Sequence, residues 1–169
     1  RVDLSDSPYL ETTRNGKLYK MHSGSASYFR PSERLELSGG VSIESADGAA
    51  PFTMSAGDAV FERAIGRVSL TGNSQITRGN DLVRGDDLVA NFRSDNSIEK
   101  AEIQGNSYVK QSRPEDTTEV SSPRLVALFA DDGSLRRADT FGQSEIRQTP
   151  TDSGKGSFSM VSANASHAV

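Results

Sequence analysis

The 169-residue chain has no cysteine, which excludes disulfides, thiolate chemistry and cysteine-based zinc sites. It has no apolar run near the ~18 residues that a bilayer-spanning helix requires. It has no basic run and no aromatic stacking motif. Lys and Arg number 19 against 23 Asp and Glu, a net charge of −4, and this balance argues against nucleic acid as a partner. Hydrophobic residues make up only 34%, which suits a thin, elongated protein better than one with a thick core. There is no initiator methionine and no signal peptide, so the chain reads as a processed or excised piece of a longer protein.

Signatures of catalysis are missing too. His22 and His167 lie far apart without metal-ligand spacing and are expected at the surface or at a groove edge. No G-x-S-x-G elbow accompanies the many serines. The "SGKGS" stretch at Ser153–Ser157 lacks the glycine that a phosphate-binding loop places five residues before Gly154, so it reads as a flexible loop. Asp86-Asp87, next to Arg84, reads as a solvated bulge rather than an acid–base pair, and Asp131-Asp132-Gly133 as a turn rather than a calcium loop. No catalytic residue, metal site or cofactor is expected, and the chain is read as a non-enzyme.

What is present is a repeat. "LELSGGVSI" (Leu35–Ile43), "VSLTGNSQI" (Val68–Ile76), "AEIQGNSYV" (Ala101–Val109) and "ADTFGQSEI" (Ala138–Ile146) align on Gly39, Gly72, Gly105 and Gly142, with spacings of 33, 33 and 37. Spacings of this size mark stacked supersecondary units. Apolar and polar residues alternate: Leu35, Leu37, Gly39, Val41 and Ile43 share one face, as do Val68, Leu70, Gly72, Ser74 and Ile76. Such alternation predicts half-buried strands, and the central glycine a bend, a bulge or a close backbone approach.

A second element lies between these segments. "FTMSAGDAVF" (Phe52–Phe61), "LVRGDDLVANF" (Leu82–Phe92), "EVSSPRLVALF" (Glu119–Phe129), "FSMVSANASHAV" (Phe158–Val169) and "YKMHSGSASYF" (Tyr19–Phe29) align with one another. Their alternation slips by one residue at Gly57-Asp58, Asp86-Asp87 and Pro123-Arg124, which predicts a β-bulge on these strands. Turns are expected at Arg30–Glu33, Arg63–Gly66, Arg93–Ser97 and Asp131–Ser134. About ten strands result. Only Leu125–Arg137 could pass for a helix, and Asp131-Asp132-Gly133 would break it.

Strands with one apolar face need a partner surface, which two facing sheets provide. The expected fold is all-β: an open, elongated β-jelly-roll or solenoid of ten or more antiparallel strands in repeats of ~33 residues. Its terminal strands are free to pair with another copy or a partner. Residues 1–17 are expected as an N-terminal extension or edge strand, and 18–169 as the repeat domain.

The motifs "SGGVSIES", "LTGNSQITRGNDLVRGDDLVANF" and "IQGNSYVKQ" resemble the OstA-like domain of the periplasmic lipopolysaccharide-transport family, which comprises LptA, the soluble part of LptC and the N-terminal domain of LptD. Gly72-Asn73, Gly105-Asn106, Asp58 and Asp87 fit the pattern, and the resemblance covers Leu18 to Val169. It implies an open β-jelly-roll with an apolar groove in the periplasm of a Gram-negative envelope. It implies lipopolysaccharide or a related glycolipid as ligand. It also implies edge-strand pairing with other OstA-like domains and with the inner- and outer-membrane transport components. Many family copies carry valine after Gly-Asn. Here Val41 keeps it, and Ser74, Ser107 and Ser144 replace it, making the groove less apolar or leaving room for a ligand.

A groove of aliphatic and aromatic side chains offsets the ~0.8 kcal/mol per CH₂ that an acyl chain costs in water. The candidate lining is Leu35, Leu37, Ile43, Met54, Phe61, Leu70, Ile76, Leu88, Phe92, Ile103, Val109, Leu125, Phe129 and Ile146. The same residues serve equally as core between two sheets. The alternative function is a structural, self-assembling β-solenoid module without a lipid ligand. A carbohydrate-active solenoid ranks last, because the acidic residues scatter instead of clustering on one outer face.

Overall fold

The computed structural model describes residues 1–14, 17–45, 52–94, 97–131, 135–152, 156–162 and 166–168. "SGKGS" falls largely outside these residues, as do Asp132-Gly133 and Asn164-Ala165. The described residues form one antiparallel sheet of fourteen strands, with two short 3₁₀ turns and no α-helix. The strands are β1 (Val2–Leu4), β2 (Tyr9–Arg14), β3 (Lys17–His22), β4 (Ser25–Phe29), β5 (Arg34–Ser45), β6 (Phe52–Glu62) and β7 (Arg67–Arg78). They continue with β8 (Asp81–Phe92), β9 (Ile98–Ser112), β10 (Asp116–Phe129), β11 (Leu135–Phe141), β12 (Ser144–Pro150), β13 (Phe158–Ser162) and β14 (Ser166–Ala168).

From β4 to β11 each strand pairs with its chain neighbour, and the outer strands pair as β1 with β4, β2 with β3, β3 with β5, β10 with β12, β12 with β13 and β11 with β14, so the topology is an up-and-down meander. The eight shorter strands lie end to end in pairs: β1 with β2, β3 with β4, β11 with β12 and β13 with β14. β10, for example, pairs through its first half with β12 and through its second half with β11. The sheet thus has ten strand lines and does not close; β1/β2 and β13/β14 are its edges. Tyr19–Phe29 and Ala138–Ile146, expected as single strands, are each interrupted, at Ser23-Gly24 and at Gly142-Gln143. Within Leu125–Arg137, the only stretch that could pass for a helix, Leu125–Phe129 and Leu135–Arg137 are strand.

The interruptions belong to one line of register shifts that crosses the sheet. Gly39-Gly40 lie opposite Gly57 alone, Gly72-Asn73 opposite Asp86, and Gly105-Asn106 opposite Pro123. All six paired residues are left-handed, with φ of 81°, 84°, 82°, 52°, 68° and 51° in that order. Consecutive left-handed residues favour glycine and asparagine, which avoid most of the Cβ penalty. Asp6 (φ 65°) and Ser7 (φ 60°) make the same break between β1 and β2. The facing slips on the partner strands as expected: Ala56 and then Ala59 are buried, as are Ser122 and Leu125. The extra residue, however, sits on the glycine strand, not on the polar pair. Gly39 and Gly72, expected on the apolar face, are exposed.

Burial explains what this line does. Next to it, Leu37, Leu70, Leu88 and Leu125 are 1% exposed and Ile103 is 0% exposed. These residues lie side by side in register, with Ala59 between Leu37 and Leu70. Toward both strand ends, burial becomes partial at Leu35, Phe61, Phe92 and Phe129 on one side and at Phe52, Ile76, Val83 and Val109 on the other. Among the described residues no helix or second sheet covers this face. The sheet must therefore fold over itself along the line of shifts, which is its crease. Strand ends form the two lips.

The turns beyond one lip are tied together. The 3₁₀ turns Arg30–Ser32 and Arg63–Ile65 are closed by left-handed Glu33 and Gly66. The Arg63 amide donates to the Glu33 carbonyl (3.2 Å) and the Phe92 amide to that of Gly66 (2.7 Å). Arg93 donates to the carbonyls of Ile98 (2.8 Å) and Phe129 (2.6 Å).

Candidate functional site

The fourteen candidate lining residues all fall on the inner face, at two depths. Leu37, Ile43, Met54, Leu70, Leu88, Ile103, Leu125 and Ile146 are buried beside the crease or in the half-sheets. Leu35, Phe61, Ile76, Phe92, Val109 and Phe129 are half-buried on the lips. Leu10, Tyr19, Phe52, Val83, Leu135 and Met160 are half-buried against the same core and are not among the candidates. Parity is the sequence signal for three of them: Tyr19, Phe52 and Val83 each lie two residues before buried Met21, Met54 and Gly85.

Ser74, Ser107 and Ser144 do not stand in an open groove. They are buried in the crease, at 1%, 1% and 3% exposure. Their hydroxyls donate to the carbonyls of Asp86 (3.3 Å), Ile103 (2.9 Å) and Gly142 (3.0 Å). Ser122 does the same toward Arg124. A buried hydroxyl without a partner is costly, and each of these four finds one in a backbone carbonyl beside the line of shifts.

The interior is uncovered at both edges. At the first edge Val2 and Leu4, opposite Tyr28 and Ala26, are 52% and 43% exposed. At the other edge Phe158 is 54% exposed and Met160, opposite Ile146, is half-buried. Tyr9 and Val161 are exposed nearby.

The outer face is polar. Its charged side chains pair across strands, as Arg34 does with Glu62 (3.7 Å), and along them, as Arg147 does with Glu145 (2.8 Å). A shallow depression there is bordered by Arg84, Asn106, Tyr108, Ser121, Pro123 and Gln143. Arg84 stacks 4.7 Å from the Tyr108 ring centre, and the Tyr108 hydroxyl donates to Glu119. Asp86, expected as a solvated bulge residue, accepts from Asn106 (3.2 Å) and so braces the crease. Exposed His22 lies against the Tyr9 ring (4.8 Å). His167 lies on β14, and its side chain is outside the described residues. Among the described residues, no three His, Asp or Glu side chains are grouped as a metal site needs, and no helix is long and apolar enough to cross a membrane.

One outer pair gives a pH dependence. The Arg124 guanidinium, 2.6 Å from Glu102, holds this carboxyl below its ordinary value of 4.5 through a charged hydrogen bond. A depressed carboxylate stabilises the fold above its unfolded pKa, and the contribution is lost as pH falls through the folded value. Arg124→Met should therefore flatten the loss of melting temperature below pH 4.5. The effect is small because the pair is partly solvated. An unchanged acid limb in thermal melts would refute the assignment.

Compared with known proteins, the chain matches no family model and no curated protein.

Proposed function

We propose that this domain is a non-enzymatic carrier of lipopolysaccharide or a related glycolipid in the periplasm, built as an OstA-like β-jelly-roll and joined edge to edge with other such domains. The observation that carries the reading is an apolar face that runs from edge to edge of an open sheet and stays uncovered at both edges. A monomer that only needed a core would blunt its edges and cap that face. Acyl chains would lie along the lips, where half-buried side chains are within reach without disturbing the packed row beside the crease.

The strand count supports edge pairing. Ten alternating lines give the two edges opposite directions, so β13/β14 of one copy meets β1/β2 of the next antiparallel. If that junction keeps the register of β6 with β7, Met160 falls opposite Leu10 and Val161 opposite Tyr9, both apolar pairings. The absence of native cysteine makes the test clean. A mixture of Tyr9→Cys and Val161→Cys proteins should give disulfide-linked heterodimers on mild oxidation. Either variant alone should not. Equal cross-linking in the single-variant samples would refute the register.

Photo-crosslinking separates carriage from self-assembly. A probe at lip residue Phe92 should capture lipopolysaccharide, and a probe at outer residue Glu102 should not. Capture from Glu102 alone would sink the interior-slot reading. The second reading, a self-assembling module without ligand, draws on the filled row from Leu37 to Leu125. Edge cross-links without any lipid capture would favour it.

A further inference from the structure

We propose that the buried hydroxyls of Ser74, Ser107, Ser122 and Ser144 set the fold angle of the sheet, and with it the separation of the lips that would receive acyl chains. They are positioning residues. The geometric part stands alone; the link to acyl chains rests on the carrier reading above.

The inner side of the crease is a cross-strand row of small residues. Val41 lies opposite Ala56, Ser74 opposite Gly85, Ser107 opposite Ser122 and Ser144 opposite Ser162. The row on the other side of the shift is large: Leu70, Leu88, Ile103 and Leu125. A small row beneath a large one lets the halves close sharply. There is no spare room, because a Cβ on Gly85 would lie 2.3 Å from Ile103 Cγ2. Within this space each serine hydroxyl also donates to a backbone carbonyl beside the line of shifts, at Asp86, Ile103, Arg124 and Gly142.

Two physical effects therefore meet at these positions. Valine there adds bulk to a filled row and removes the hydrogen bond from the hydroxyl to the carbonyl. Both are relieved in the same way, by parting the halves. Alanine removes only the hydroxyl and tests the hydrogen bond alone.

β7 offers a direct ruler, since Arg67 and Arg78 are its first and last residues, both exposed, on opposite sides of the crease. Nitroxide labels on Arg67→Cys and Arg78→Cys report the distance across it by pulsed electron paramagnetic resonance. With Ser74→Val and Ser107→Val added, the mean distance should lengthen by about 4 Å, one Cα–Cα step. The affinity for cis-parinaric acid, a fluorescent acyl probe, should rise about tenfold, or 1.4 kcal/mol. An unchanged distance in a variant with native strand content overturns the proposal. A longer distance with unchanged probe affinity overturns the link to acyl chains and the carrier reading, and leaves the crease assignment standing. Should the valine pair fail to fold, Ser74→Ala with Ser107→Ala takes its place. It should broaden and lengthen the distance distribution, and an unchanged distribution again overturns the proposal.

Discussion

Ile103→Ala is expected to lower the unfolding free energy by about 2–5 kcal/mol, the range for deleting a buried aliphatic side chain whose site cannot collapse. Ile103 is 0% exposed, flanked in register by Leu88 and Leu125, and seated over Gly85. Backbone on several sides limits relaxation, so the cavity stays largely empty. The measurement is a urea titration, in which the midpoint should fall while the slope holds. Phe92→Ala, on a half-buried lip, should cost less despite removing more atoms. A smaller loss at Ile103 than at Phe92 would show that the packing centre lies elsewhere.

Gly85→Ala should cost about 1–3 kcal/mol by overpacking. Backbone strain plays no part, because Gly85 is not among the residues with positive φ. The cost comes from contact: the new Cβ would meet Ile103 Cγ2 at 2.3 Å and the carbonyl oxygens of Gln104 and Gly105 at 3.2 Å. Most of that conflict lies with one removable atom. Gly85→Ala combined with Ile103→Ala should thus be less destabilised than the sum of the single changes, by about 1 kcal/mol or more. Strict additivity would mean that the backbone, not Ile103, resists the methyl. Gly105→Ala fails for a different reason. Its φ is +68°, and its Cβ would overlap the Asp86 carboxylate that braces Asn106.

Much of this fold is legible in hydropathy alone. Alternation locates the long strands β5 to β10, and the glycine spacing locates the bends. The bulge was assigned to the wrong strand for a definable reason. Three residues separate Leu37 from Val41, whereas two separate Ala56 from Ala59, and the two spans face each other. Parity slips on the shorter span, so the pattern draws attention there. The extra residue lies on the longer span, where alternation looks undisturbed. Residues 1–17, expected as an extension or edge strand, do not align with the glycine repeat because Asp6-Ser7 does the work that Gly-Asn does elsewhere. The serines read as a loss of apolar lining because a sequence shows side-chain polarity but not the backbone carbonyls to which the hydroxyls donate. Lip residues such as Tyr19 and Phe52 are indistinguishable by pattern from deep ones, since depth depends on distance from the crease, which is set in three dimensions.

The even number of strand lines has a consequence for growth. An interface that joins the last line of one copy to the first line of the next is head-to-tail, and it grows as an open filament unless its rotation closes a ring. Nothing in such an interface counts subunits. Chain length would then follow concentration, as in open-ended polymerisation, with a broad distribution at any one concentration. A defined length would require a terminator: a partner that presents one edge of the sheet and lacks the other.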